Sequence, residues 1–286
     1  MTSNSQIRIT RRSAAYWRVA FDNPPINVMG PQMVREFQEL IAALEADDLV
    51  RVVVFESAVD GYFLNHSDFT AKLEDLTSMP AGPTGLPPWP DFLVRLTHLP
   101  VASIALIRGR ATGNGSEITL SCDMSFASRE KAILSQWEVG VGMVAGGGPM
   151  ARLPGLIGRN RALEVLLGSE DISGDRAEAY GYVNRSLPDA ELDAHVEALA
   201  TRIAGFDKWA ISNTKRLVNT SLSPDVEISA GWDACIASLG RAAAQDGIKA
   251  LMARGFHKPG DVEDRLGYYL GQIATSSAPR GGASDS

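Results

Sequence analysis

The amino-acid sequence predicts an α/β fold, and two patterns in its 286 residues support this prediction. Apolar residues at helical spacing alternate along the chain with strand-like apolar runs. Two of those runs are nearly continuous, which is typical of strands that are buried on both faces of a sheet. An alternation of strands and helices is the pattern of an α/β domain. The chain length allows either one large domain or a domain plus a smaller lobe.

Each element of the N-terminal half follows from its local pattern. Alternating apolar and polar residues predict a hairpin, and helix-spaced apolar residues after Pro31 predict an amphipathic helix. The predicted elements are a β-hairpin over residues 7–21, a helix over 32–47, and strands over 50–55 and 101–107. Residues 79–90 are rich in proline and follow neither period, so they predict a mobile loop.

Helical patterns dominate beyond residue 145. Residues 226–252 carry apolar side chains on more than one face of a predicted helix, more than a surface helix normally shows. This pattern predicts an oligomer contact, with burial inside the same chain as the alternative. We divide the chain into a core over residues 1–205, a helical region over 206–273 and a disordered tail over 274–286, which is poor in apolar residues.

The charge balance limits the classes of ligand. The chain has 27 basic and 34 acidic residues, a net charge of −7, and no basic cluster longer than Arg11-Arg12, so nucleic acid is not an expected partner. An anionic ligand must be held by local amides, helix ends or a few cations. Cys122 and Cys235 lie far apart in apolar settings, which predicts reduced thiols and a cytoplasmic location. No apolar segment suits a signal peptide or a membrane span.

Two glycine clusters, residues 108–117 and 139–148, follow strand-like segments. Neither has the Gly-x-Gly-x-x-Gly spacing of a dinucleotide site or the Gly-Lys-Ser/Thr of a phosphate loop, so no nicotinamide or nucleotide cofactor is predicted. Ser116 lacks the flanking glycine of a nucleophile elbow. The four histidines show no metal-ligand spacing, and no metal is predicted.

Strand-to-helix junctions at residues 63–68 and 112–117 offer backbone N–H groups that could stabilise an oxyanion. Two carboxylates are close to these junctions in the chain, Glu117 and Glu138. If the fold brings them together, the pair can position a water and exchange protons, with one acid neutral and one ionised. Spacing alone equally allows an ordinary first-turn acid and a loop carboxylate. His66 is a candidate catalytic residue or a solvated loop histidine.

Four ordered motifs across residues 7–260 resemble the crotonase family of enoyl-CoA hydratases and isomerases. In chain order, the first motif resembles the family's Asn-Pro-Pro-x-Asn-Ala-Leu segment, and the second resembles its Phe-x-Ala-Gly-x-Asp turn. The third resembles the family's glycine-rich signature, which contains a Glu and ends in Cys-Asp. The fourth lies just before the second group of glycines. These motifs are Asn23–Met29, Phe63–Asp68, Arg108–Asp123 and Gln136–Gly142.

The resemblance implies a spiral of ββα turns with a C-terminal helical trimerisation region. It also implies trimers or hexamers, an acyl-CoA thioester substrate and no cofactor. By position, the backbone N–H groups of Ser67 and Asn114 would form the oxyanion hole. Glu117 and Glu138 match the acid/base pair of syn hydration, and isomerases of the family usually keep only one of them.

Two departures from the family pattern concern the substrate groove. Residues 65–68 read Asn-His-Ser-Asp where the family has Ala-Gly-x-Asp, and Asn114 replaces the middle glycine of the signature. Asn65 and His66 are therefore expected to crowd the groove. The expected substrate-binding residues are Asn65, His66, Asp68 and Gly113.

The expected reaction is addition of water to an α,β-unsaturated acyl-CoA, or the reverse elimination. Isomerisation, C–C cleavage or thioester hydrolysis, with His66 recruited, are the enzymatic alternatives. A catalytically silent binding subunit is the alternative from another class, but such a protein has no use for two desolvated acids in one pocket.

Overall fold

The computed structural model describes residues 5–220 and 225–277. Its strands are β1 (Ile7–Ser13), β2 (Tyr16–Phe21), β3 (Val52–Ser57), β4 (Tyr62–Leu64), β5 (Ala102–Ile107), β6 (Arg110–Thr112), β7 (Met124–Ser128), β8 (Ile133–Ser135), β9 (Ile172–Ser173) and β10 (Arg185–Leu187). Its helices are α1 (Pro31–Ala46), α2 (Leu73–Thr77), α3 (Pro88–His98), α4 (Asn114–Ser121), α5 (Pro149–Ile157), α6 (Arg159–Gly168), α7 (Gly174–Tyr180), α8 (Asp189–Ala204), α9 (Lys208–Asn219), α10 (Asp225–Leu239), α11 (Ala242–Arg254), α12 (Asp261–Asp264) and α13 (Leu266–Ser277).

The strands form two sheets, and the chain alternates between them. The larger sheet has the order β1-β2-β3-β5-β7-β10, and the smaller has the order β4-β6-β8-β9. Strands β3, β5 and β7 each enter the larger sheet, and the strand that follows each enters the smaller one in parallel pairing. A helix then leads to the next pair. This repeated strand–strand–helix unit confirms the predicted α/β class.

The continuous apolar runs are explained by burial on both faces of the larger sheet. Successive side chains of a strand point to opposite faces. In β3, Val53 and Phe55 enter the main core with α1 and α3, whereas Val52 and Val54 pack with α8 on the other face. Both sets are therefore removed from water, and the usual alternation with polar residues is lost.

The predicted helix over 226–252 is two helices, α10 and α11, separated at Gly240-Arg241. Their apolar residues face different parts of the same chain. Ile228 packs against Val94 of α3, and Leu251 belongs to a separate cluster with Val141. Burial within the chain thus accounts for much of the apolar surface in this segment.

Three other regions refine the predicted organisation. Within the predicted loop 79–90, α3 begins at Pro88, and Thr84 bonds to the buried carboxylate of Asp91. Helix α13 runs to Ser277, into the predicted disordered tail, and residues 278–286 lie outside the described residues. The division at residue 205 stays a prediction.

Among the described residues, no helix has the length and apolar character needed to span a bilayer, and the cytoplasmic location stays a prediction.

Candidate active site

A cavity of about 70 Å³ lies where the first turn of α4 meets the end of β4 and the start of α3. Its wall includes the two predicted acids, Glu117 and Glu138, together with Ser67 and Asn114. Most of the remaining wall is apolar or aromatic, with Trp89 beside the acids. Residues from distant parts of the sequence thus meet around one cavity with a largely apolar wall.

Glycines allow the elements around the cavity to approach each other closely. A Cβ atom at Gly115 would lie 1.8 Å from the carbonyl oxygen of Leu64, so the first turn of α4 rests directly on β4. A Cβ atom at Gly147 would lie 2.3 Å from the carboxyl carbon of Glu117. Any residue with a Cβ atom would clash at these two positions, so only glycine allows the backbone to come this close to its neighbours.

Glu117 is buried and accepts three hydrogen bonds. Trp89 Nε1 donates to Oε2 over 2.7 Å, the Gly147 amide to Oε1 over 2.6 Å, and Asn114 Nδ2 to Oε2 over 3.1 Å. Burial raises the pKa of Glu117, while these donors and the charge of Arg152 oppose the rise. All three groups are donors only in these bonds, so they favour the ionised carboxylate.

Glu138 begins the 3₁₀ turn Glu138–Val141 and is also buried. Burial, and then the charge of Glu117, raise the pKa of Glu138 to about 8. Among the described residues, the only group that stabilises the ionised form of Glu138 is its own backbone amide. Two buried carboxylates that line one cavity and interact electrostatically do not both ionise readily. The donors around Glu117 therefore favour Glu117 over Glu138 as the ionised member of the pair.

Side chains connect the two predicted amides to the acid pair. Ser67 Oγ donates to Asn114 Oδ1 over 2.8 Å, and Asn114 Nδ2 donates to Glu117. The backbone N–H groups of Ser67 and Asn114 have no acceptor among the described residues. Asn114 is the first residue of α4, so its amide lies at the positive end of the helix.

The other predicted site residues are placed differently. Gly113 lies beside Glu138, since a Cβ atom there would be 3.1 Å from Glu138 Oε1. Asn65 and His66 lie behind the cavity wall, where both bond to Glu263, which differs from the expectation that they crowd the groove. The reason is that Glu263 offers their polar atoms a buried anionic partner. Asp68 also lies off the wall, 3.7 Å from His257.

Two residues that contact the predicted site could not be found from motifs or periodicity. Trp89 lies in the proline-rich stretch that follows neither period, and its only signal is a large aromatic residue among prolines. Glu263 lies 197 residues after His66 and gave no motif. In residues 5–220 and 225–277, no group of three or more His, Cys, Asp or Glu side chains is arranged to hold a metal ion.

Comparisons with known proteins agree with this architecture. A family model described as enoyl-CoA hydratase/isomerase matches residues 11–249. The crotonyl-CoA hydratase of Syntrophomonas wolfei is 29% identical over 212 residues, which span 73% of this chain and 80% of that protein. A short-chain-enoyl-CoA hydratase of Clostridium acetobutylicum is 26% identical, over 73% of this chain and 78% of that protein.

A solved structure assigned as an enoyl-CoA hydratase from Streptomyces avermitilis is 38% identical and has a TM-score of 0.89. The match covers 95% of this chain and 98% of that one. It confirms the predicted crotonase-like spiral with C-terminal helices. Since the family model matches most of the sequence and the fold is shared over nearly its whole length, this chain belongs to the enoyl-CoA hydratase/isomerase family.

Proposed function

We propose that this enzyme adds water reversibly to the 2,3-double bond of an enoyl-CoA thioester. The observation that supports this reaction best is the pair of buried glutamates in one cavity with opposite surroundings. Glu117 is surrounded by hydrogen-bond donors that favour its anion, whereas burial and the charge of Glu117 raise the pKa of Glu138 to about 8. A hydratase needs both a base and an acid at the same time.

The two acids have distinct roles in the proposed reaction. Glu117 accepts a proton from water as the water oxygen bonds to C3 of the substrate. The electrons of the C2–C3 π bond move toward the thioester carbonyl and form an enolate. Glu138 then gives its proton to C2, which restores the carbonyl. Transfer of the proton that Glu117 took from water to Glu138, directly or through solvent, restores the starting state, so water is consumed and no oxidant, metal or other co-reactant is required.

We further propose that the N–H groups of Ser67 and Asn114 bind the thioester oxygen. Their lack of another acceptor supports this role, because amides that are already aimed at the site need no reorganisation when charge develops. The positive end of α4 adds to the stabilisation of the enolate oxygen. The departure from glycine at Asn114 leaves this backbone amide in place.

The alternatives are less well supported by the same geometry. An isomerisation needs one carboxylate to move a proton between carbons, and this cavity has two. A silent binding protein would gain nothing from burying two acids, which costs free energy unless each is satisfied. Crotonyl-CoA is the first substrate to test, since the Syntrophomonas wolfei relative is named a crotonyl-CoA hydratase.

The proposal is tested by adding the protein to crotonyl-CoA and following the ultraviolet absorbance of the conjugated thioester. We expect the absorbance to fall as hydration removes the conjugation. Release of a free thiol would instead identify thioester hydrolysis. Constant absorbance together with a ligand-induced rise in Tm would identify a binding protein and refute the hydratase.

The activity is expected to depend on pH through Glu138. This group must be protonated to give a proton to C2, and its pKa is about 8. The rate at saturating substrate should therefore fall as the pH rises through about 8, as the neutral form is lost. Initial rates across neutral and alkaline pH measure this directly, and a rate that increases over the same range would contradict the assigned roles.

We also propose that the chain assembles as a trimer or hexamer. Helix α9 has no buried residue, and it carries Trp209 and Val218 with 73% and 64% of their surfaces exposed. It borders a groove of about 1080 Å³ whose lining includes Leu156 and Phe206. An apolar face of this kind favours a second copy as its occupant. Light scattering should show an assembly; a 30.6 kDa particle at micromolar concentration would contradict it.

A further inference from the structure

A second cluster of titratable groups lies directly behind the proposed oxyanion hole. His66 and Glu263 are both fully buried, with exposed fractions of 1% and 0%. His66 Nε2 lies 3.0 Å from Glu263 Oε1, and its ring stacks on Phe256. Neither residue lines the cavity. The proposed reaction therefore gives this buried pair no direct chemical role.

The contacts of His66 determine where its hydrogens are. Nδ1 lies 3.0 Å from the carbonyl oxygen of Ser67, which can only accept. Nε2 faces Glu263, which already accepts from Asn65 Nδ2 over 3.0 Å and from the His257 amide over 2.7 Å. Burial raises the pKa of Glu263, but His66 and these donors outweigh it and lower the pKa overall. Because the Ser67 carbonyl can only accept, His66 Nδ1 carries the hydrogen of that bond, while Nε2 and the Glu263 carboxyl group share the other bond.

Hydrogen bonds hold the two peptide units on either side of Ser67, the one that joins it to His66 and the one that joins it to Asp68. The carbonyl of His66 accepts from the Met29 amide over 3.0 Å, and the amide of Asp68 donates to the Met29 carbonyl over 2.9 Å. His66 Nδ1 binds the carbonyl of Ser67. Of the four polar groups in these two units, only the Ser67 N–H has no partner among the described residues. It is the amide proposed to bind the thioester oxygen.

We propose that His66 is a positioning residue that holds the Ser67 N–H toward the thioester oxygen, and that Glu263 orients the His66 ring from α12. This inference rests on the proposed function. It assigns the C-terminal helices a part in catalysis, since Glu263 ties α12 to the turn after β4. It also explains why histidine occupies this turn: Asn65 and His66 bind inward to Glu263 rather than outward to substrate.

Two substitutions separate the two bonds of the imidazole. In His66→Asn, the side-chain amide nitrogen can take the place of Nδ1 and keep the bond to the Ser67 carbonyl, but it cannot reach Glu263. In His66→Gln, the amide nitrogen can take the place of Nε2 and keep the bond to Glu263, but the Ser67 carbonyl loses its donor. If His66 positions the Ser67 N–H, His66→Gln should lose more kcat than His66→Asn. If His66 is only structural, the loss of kcat should instead follow the loss of Tm.

We expect His66→Gln to lower kcat for crotonyl-CoA by about tenfold or more, because a small misplacement of the donor is costly. His66→Asn should stay within about threefold of the wild-type kcat although it has the lower Tm, because Glu263 loses a partner. KM should change little in both. The opposite order of kcat values, or equal losses of kcat that follow Tm, would overturn the proposal.

Acetoacetyl-CoA provides a readout that does not need turnover. Its bound enolate has an ultraviolet band that reports stabilisation of the oxyanion. We expect this band to weaken in His66→Gln while the affinity for butyryl-CoA is retained, and an unchanged band would overturn the positioning role. If the wild-type protein shows the band but does not hydrate crotonyl-CoA, the proposed function fails while the positioning test still stands.

Tyr62→Phe is the matched control. Tyr62 also ties α12 to the core, from the start of β4 through a 2.9 Å bond to Asp264, and its side chain makes no hydrogen bond to the turn at Ser67 among the described residues. Its kcat should match the wild type, and a tenfold loss would show that any loosening of α12 is enough. If a His66 variant does not fold, Glu263→Gln replaces it: the amide can donate to Nε2 and leave Nδ1–H on Ser67. A kcat within about threefold supports the proposal and a larger loss contradicts it.

Discussion

Replacing Glu138 with glutamine is expected to lower kcat for crotonyl-CoA hydration by about a hundredfold or more. The amide keeps the shape of the side chain but has no proton to give to C2. Glu117→Gln should have a similar effect because the water loses its base. Each loss is on the order of 10²–10⁴ in rate, or ~3–5 kcal/mol of activation free energy.

The double variant shows whether the two acids act as a unit. Since both serve one transition state, its loss should be far smaller than the product of the two single losses. Glu56→Gln is the matched control, because burial also raises the pKa of Glu56, which pairs with Arg18 away from the cavity. Full activity in either single variant would remove the pair from the mechanism. Inactivity of Glu138→Gln alone would favour an isomerase with one base.

Gly115→Ala is expected to have the second large effect. The added Cβ atom would lie 1.8 Å from the Leu64 carbonyl oxygen, a backbone atom that cannot rotate away. Helix α4 must then shift from β4, which separates the amide of Asn114 from that of Ser67. We expect kcat to fall by about a hundredfold or more, as for loss of an oxyanion-hole donor. The strain should also lower the free energy of unfolding by about 1–3 kcal/mol or more.

Gly155→Ala provides the control for this substitution. Gly155 lies inside α5, and a Cβ atom there would meet nothing within 4 Å. Alanine should therefore leave kcat unchanged and raise Tm slightly, since glycine disfavours the helix interior. Wild-type kcat and Tm in Gly115→Ala would show that the contact between α4 and β4 does not position the site.

The sequence was sufficient for the features that depend on local pattern. The continuous run at β3 predicted a strand buried on both faces, and the structure shows why, with Val53 and Val54 in different clusters. The acid pair was predicted as a possibility from spacing and as an expectation from the resemblance. Its chemical asymmetry needed the structure, because two of the three donors to Glu117 come from Trp89 and Gly147, which are 28 and 30 residues away.

Contacts over longer separations explain what the sequence analysis missed. The position of His66 at a strand-to-helix junction suggested contact with solvent or substrate. Its burial depends on Glu263 and Phe256, which no local period connects to it. The break between α10 and α11 at Gly240 was missed because apolar residues continue on both sides of it. Periodicity records which residues are buried, but not which element buries them.

Mass spectrometry and NMR of the product formed from crotonyl-CoA in deuterium oxide test the proposed reaction most directly. We expect 3-hydroxybutyryl-CoA with a hydroxyl on C3 and a single solvent deuterium on C2, added to the same face. Such a product shows that water adds across the C2–C3 bond on one face, as expected for a site in which the water and the proton donor lie on the same side of the substrate. Recovery of an isomerised enoyl-CoA, of free crotonate, or of unchanged substrate would contradict hydration by the Glu117–Glu138 pair.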